Sequence, residues 1–205
     1  LPKRTAEELK RTGNYQAESY TNVTVMFCDI VGFTNLGEKL DAKTLVTELH
    51  EFFSGVDDIV SKYGIEKIKT IGDAYLCAAG LDDFDDGESA VNIVIAAFEI
   101  IEFTQKLNVQ KEAENRQPFQ LRIGMHSGPV SAGVVGKSKF AYDIWGDTVN
   151  TAARIETGSE PGKINISGDT YSLVNGKFDC HYRGKITAKN KGDVDMYFVN
   201  QSKLF

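Results

Sequence analysis

The sequence predicts an α+β sandwich, a mixed or antiparallel sheet packed on one side by long helices. Three observations carry this expectation. In residues 23–28, Val23, Val25 and Phe27 alternate with Thr24, Met26 and Cys28, the pattern of a buried or half-buried strand. Residues 65–71 and 74–79 read as two strands joined by Gly72-Asp73, a tight hairpin turn. Two long amphipathic stretches, residues 36–63 and 89–107, stand between these strands and a third strand region.

The chain starts with an arm, residues 1–20, in which Thr5-Ala6-Glu7-Glu8 resembles a capping box and a short helix ends near Gly13. Residues 21–205 then form one domain. In the first helical stretch Leu45, Leu49, Phe52, Val56, Ile59, Val60 and Tyr63 recur at three- and four-residue steps, and Gly64 closes the helix. Residues 82–87 form an acidic loop and residues 111–117 a polar connector. Residues 121–127 and 130–135 read as a second hairpin around Gly128-Pro129, with Arg122 pointing out of an apolar strand. A helix over 145–155, a strand over 163–166, a helix over 167–174 capped by Ser167 and a strand over 196–199 complete the chain. Strand, helix, hairpin, helix, hairpin in this order predicts a ferredoxin-like arrangement with additions and excludes a doubly wound parallel sheet.

With a net charge of −6 the chain has no basic stripe to neutralise a nucleic-acid backbone, so nucleic acid is not an expected partner. The longest apolar stretch, residues 90–103, is broken by Asn92, Glu99 and Glu102, and no membrane contact by this domain is expected. Cys28, Cys77 and Cys180 are too few and scattered for a disulfide framework and read as thiols of a reducing compartment, so a cytoplasmic location is expected. A chain that begins at Leu1 reads as a fragment of a larger protein with an upstream sensor.

The chemistry-bearing residues begin with two acids. Asp29 ends the first strand, just before a turn around Gly32 whose backbone N–H groups, continuing into Phe33 and Thr34, can curl toward an anion. Asp73 sits at the tip of the first hairpin. If that hairpin lies beside the first strand, the two carboxylates reach one pair of hard cations. Other motifs fail. No G-x-G-x-x-G joins a strand to a helix, and Gly136-Lys137-Ser138 lacks the earlier P-loop glycine, since position 131 is Ser131. Residues 82–93 mismatch a calcium loop at Ile93, and His126 has neither a triad order nor zinc-ligand spacing, so it reads as a core histidine.

Four stretches taken together, FCDIVGFT (27–34), KIKTIGDA (67–74), RIGMHSG (122–128) and YDIWGDTVNTAAR (142–154), closely resemble the class III nucleotidyl cyclase catalytic domain, in that family's order and spacing. The resemblance implies the class III cyclase fold and conversion of a nucleoside triphosphate to a 3′,5′-cyclic nucleotide and pyrophosphate in sites shared by two catalytic domains. It implies that Asp29, Asp73 and the carbonyl of Ile30 hold two divalent cations, Mg²⁺ or Mn²⁺. It assigns Asn150 to orienting the ribose, Arg154 to stabilising charge on the α-phosphate, and Arg122 and Lys189 to the terminal phosphates, with Lys191 a rival to Lys189.

Lys69 offers a donor and Asp143 an acceptor, which complements the N6 amino group and N1 of adenine. Guanylyl members resemble this pattern with an acid in place of the Lys and Cys in place of the Asp. The expectation is therefore an adenylyl cyclase that takes ATP and works as a homodimer. The alternatives are a guanylyl cyclase and a catalytically silent dimerisation module.

Overall fold

A computed structural model of the chain describes residues 3–13, 15–38, 40–81, 88–136, 139–188 and 192–200. Its elements are α1 (Lys3–Thr12), β1 (Glu18–Ile30), α2 (Phe33–Gly37), α3 (Ala42–Lys62), β2 (Glu66–Ile71), β3 (Ala74–Ala79), α4 (Ser89–Ala113), β4 (Leu121–Val135), β5 (Ala141–Trp145), α5 (Asp147–Thr157), β6 (Ile164–Ser167), α6 (Gly168–Val174), β7 (Asp179–Ala188) and β8 (Gly192–Asn200). The strands form one mixed sheet ordered β2-β3-β1-β4-β6-β8-β7, with β5 added to β4. All pairings are antiparallel except β4 with β6. The α+β class and the ferredoxin-like half, β2-β3-β1-β4 under two long helices, are as the sequence predicts.

The sheet is buried on both faces around β1. Met26, Cys28 and Ile30 of β1 join Cys77 of β3, Phe52 and Val56 of α3, and Ile93, Ala97 and Ile100 of α4 in one core. Val23, Val25 and Phe27 face the other way and meet Leu76, Ala78 and Ala152 of α5. That is why the strand is apolar at nearly every position. The expectation of helices on a single side holds for α3 and α4 and is corrected by α5, which covers the opposite face.

Several boundaries differ from expectation for physical reasons. The 36–63 stretch divides because Asp41 caps α3, its carboxylate accepting from the backbone N–H groups of Lys43 and Thr44 at 3.0 and 3.1 Å. The supposed second hairpin is one unbroken strand, β4. Pro129 is tolerated there because the register steps from Val23 opposite Gly128 to Tyr20 opposite Val130, which leaves a bulge across from the proline. The polar connector starts later than expected because α4 continues to Ala113, with Lys111 buried against Glu48 and Arg116 reaching Glu48 at 3.0 Å and Glu51 at 2.8 Å. Trp145 ends β5 and does not open the helix after it, and β7 was not foreseen. The acidic loop 82–87 lies outside the described residues.

Candidate active site

Asp29 is the second-last residue of β1 and stands opposite Arg122 of β4. On its other side β3 pairs Tyr75 with Cys28, so the hairpin tip reaches the end of β1. Gly72 makes that tip with φ +63°, a conformation that costs glycine little, and Asp73 follows it. The two acids converge as the strand geometry predicted. Burial, and then the charge and a hydrogen bond of Asp29, push the Asp73 carboxyl up to about 6, while Arg122 draws it down. Arg122 donates from Nη2 to Asp29 Oδ2 at 2.9 Å and from Nε to Glu156. Ile30, the last residue of β1, is buried; after it the chain turns through Gly32 (φ +74°) into α2, where Phe33 packs on the core and Thr34 is exposed.

The RIGMHSG stretch has a packing reason. Gly124 and Gly128 are four apart on β4 and so share one face, and α5 lies directly on them. A Cβ at Gly124 would come within 2.0 Å of the Glu156 backbone nitrogen, and one at Gly128 within 2.8 Å of Thr148 Oγ1. Held this closely, α5 turns Thr148, Thr151, Ala152 and Ile155 into the molecule and leaves Asn150 exposed, with Arg154 one turn further along that outer side. Arg154 donates from Nη1 to the Thr187 carbonyl at 3.2 Å. Asn150 and Arg154 thus share a surface face, and α5 addresses the Asp29 and Asp73 centre through Glu156. Sequence reasoning passed over Glu156; its signal was a carboxylate two residues past Arg154, on the inward side of the same helix.

Lys69 of β2 and Asp143 of β5 meet at 2.5 Å from Nζ to Oδ2. The Asp143 side chain is 17% exposed and that of Lys69 43%, so the pair stands at the edge of an open surface and not inside the core. Lys189 and its rival Lys191 lie outside the described residues. His126 is buried with Nδ1 at 2.7 Å from Ser167 Oγ, a core position as expected.

Among the described residues no group of three or more His, Cys, Asp and Glu side chains gathers as a metal cage. The two converging carboxylates nonetheless fit hard divalent cations of the Mg²⁺ type, which are held by one or two carboxylates together with substrate phosphates.

The chain matches the family of the adenylate and guanylate cyclase catalytic domain over residues 15–201, and it belongs to that family. It is 38% identical to guanylate cyclase 32E of Drosophila melanogaster over 203 residues, 98% of this chain and 17% of that protein. It is 36% identical to human atrial natriuretic peptide receptor 2 over 201 residues, 97% of this chain and 19% of the receptor. The chain therefore spans less than a fifth of the length of these relatives, which carry further domains. Among solved structures, the catalytic core of a rhodopsin-guanylyl cyclase with converted specificity in complex with ATPαS superposes with a TM-score of 0.84 at 36% identity, covering 91% of this chain and 99% of that one. The adenylyl cyclase CyaB from P. aeruginosa superposes with a TM-score of 0.86 at 31% identity, covering 92% and 98%. The chain is thus a nucleotidyl cyclase catalytic domain, of a class that acts as a dimer and uses two divalent metal ions. None of its described helices is long and apolar enough to cross a membrane.

Proposed function

We propose that this domain is an adenylyl cyclase, converting ATP to 3′,5′-cyclic AMP and pyrophosphate in composite sites of a homodimer. The observation that carries the base assignment is the pairing of Lys69 with Asp143 at 2.5 Å, one donor beside one acceptor. Adenine presents the complementary edge, an N1 acceptor and an N6 amino donor. Guanine presents O6 and N1–H in reversed sense and would leave both side chains mismatched. Guanylate cyclase 32E, at 38% identity, favours GTP as the second reading. The converted rhodopsin-guanylyl cyclase, which holds an ATP analogue, supports the view that the two specificities share one framework.

The division of the site supports the dimer. Asn150 and Arg154 lie on the outer side of α5, whereas Asp29 and Asp73 lie at the strand ends beyond its inner side. Ile71, Val135, Phe140 and Trp145 are large apolar residues left 41–52% exposed at the ends of β2, β4 and β5, on strands that neighbour Lys69 and Asp143. A two-fold pair would cover them and set the carboxylates of one protomer against the base-reading and transition-state residues of the other.

In that arrangement Asp29, Asp73 and the Ile30 carbonyl would hold two divalent cations, which would supply Lewis acidity and neutralise phosphate charge. Asn150 holds the ribose so that its 3′-oxygen lies in line with the α-phosphorus and the departing pyrophosphate. Arg154 donates to the α-phosphate oxygens as charge develops on them. Arg122 exchanges its bond with Asp29 for the terminal phosphates, aided by Lys189.

Two measurements test this. With Mn²⁺ present, the domain forms cyclic AMP from ATP far faster than cyclic GMP from GTP; a preference for GTP refutes the base assignment. Asp73→Ala and Arg154→Ala are each inactive alone, and mixed in equal amounts they recover about a quarter of the native rate, because half of the random pairs hold one intact site of two. No recovery on mixing refutes the composite site.

A further inference from the structure

Strand β2 carries an extra residue. Its register with β3 steps from Lys67 opposite Cys77 to Lys69 opposite Leu76, so Ile68 and Lys69 together face one partner across a β-bulge. In a regular strand, residues two apart share a face, and Lys67 and Lys69 would point the same way. Here they do not. Cys77 belongs to the core beneath α3 and α4, and Leu76 to the core on the opposite face. Residues directly across from one another share a side of the sheet, so the bulge sends Lys67 toward the helices and Lys69 toward Asp143.

The contacts on each side agree with this. Lys67 Nζ lies 2.7 Å from Asp57 Oδ1 of α3 and 5.1 Å from the centre of the Tyr75 ring. The Tyr75 hydroxyl donates to the same Asp57 carboxylate at 2.6 Å. Ile68 packs on the opposite core, and Lys69 meets Asp143. The tight turn fixes the downstream end of β2, with Ile71 across from Ala74. The Asp57 clasp fixes the upstream end. With both ends held, the extra residue can only be taken up at Ile68.

We propose that Asp57, acting through Lys67 and Tyr75, is a positioning residue for nucleotide selection, since it holds β2 in the bulged register that presents Lys69 alone to Asp143. This rests on the reading of Lys69 and Asp143 as the residues that read the base. Released from the clasp, β2 regularises by placing Ile68 across from Cys77, in the apolar core, and Lys67 across from Ala78 on the base-reading side. A second ammonium beside Asp143 then spoils the match of one donor and one acceptor to adenine.

The test is the ratio of kcat/KM for ATP to that for GTP, measured on the dimeric domain with Mn²⁺. Asp57→Ala and Lys67→Met are expected to reduce the ratio about tenfold, with Lys67→Arg close to native, because a misplaced polar partner acts on the two bases unequally. Half-saturating Mn²⁺ stays unchanged. Should Asp57→Ala fail to fold, Asp57→Asn keeps the shape, loses the charge and gives the same readout. An unchanged ratio, or equal losses with both nucleotides, overturns the proposal. Lys69→Ala separates the two layers. If Lys69→Ala leaves the ratio untouched, the base-reading assignment itself fails. If it shifts the ratio while the Asp57 and Lys67 variants do not, only the positioning role fails.

Discussion

Replacing Asp73 by Asn should make the metal-free domain more stable while removing its activity. Burial and Asp29 raise the Asp73 carboxyl from 3.8 to about 6, so its ionisation works against the fold. Taken at face value that rise corresponds to about 3 kcal/mol. Asp73 is only partly buried, and Arg122 sits on Asp29 at 2.9 Å, so solvent and the guanidinium reduce the repulsion to about 1 kcal/mol. In a domain of this size that amounts to roughly 2–4 °C in Tm.

The pH dependence follows from the direction of the shift. Near pH 4 and below, Asp73 is neutral in the native chain, and the variant gains nothing. As pH rises from about 4 to about 6, the unfolded chain ionises readily and the native chain resists, so the wild type loses stability relative to Asp73→Asn. Above about 6 the difference is constant. Thermal unfolding of both proteins in chelator, at acid and neutral pH, measures it, and addition of Mn²⁺ should stabilise the wild type but hardly the variant. The reasoning is refuted if Asp73→Asn is no more stable than wild type at neutral pH, or if its gain is as large at pH 4.

Three further perturbations have definite outcomes. Exchanging Lys69 for Glu together with Asp143 for Cys should turn the preference from ATP to GTP, read as the ratio of cyclic GMP to cyclic AMP formed; one exchange alone should mainly lower both rates. Gly124→Ala should lower stability by about 3 kcal/mol, since the new methyl meets backbone of α5, and denaturant unfolding reads this directly. Glu48→Ala should cost about 3 kcal/mol in the same assay because it strips the buried Lys111 of its carboxylate, whereas Glu102→Ala, at an exposed helical pair with Lys106, should change stability by less than about 0.5 kcal/mol.

What could be read from the sequence was whatever local pattern decides. The alternation in residues 23–28, the Gly72-Asp73 turn and the helical spacing of Leu49, Phe52 and Val56 each constrain a short stretch, and the order of those stretches limits the topology. The meeting of Asp29 with Asp73 followed because both stand at strand ends that neighbouring strands bring together. The unbroken β4 was hidden because Gly128-Pro129 has the chemistry of a turn, and only the bulge in β1 across from it, a long-range feature, lets a proline stay in the sheet. The bulge at Ile68 left no local trace, because KIK reads equally well as a regular strand. Strand β7 escaped because Arg183, Gly184 and Lys185 interrupt its apolar pattern at a sheet edge, where burial does not enforce alternation. The contact of Glu156 with Arg122 could not be read locally, because Arg122 is distant along the chain.

The close seating of α5, its Glu156 backbone on Gly124 and its Thr148 side chain on Gly128, leaves that helix no slack. Its inner flank grips Arg122, which is bonded to Asp29, and its outer flank carries the Asn150 amide and the Arg154 guanidinium. A tilt that loosens Glu156 from Arg122 must therefore also displace Asn150 and Arg154, so in the proposed dimer a signal that rocks this one helix would reach both reaction centres at once.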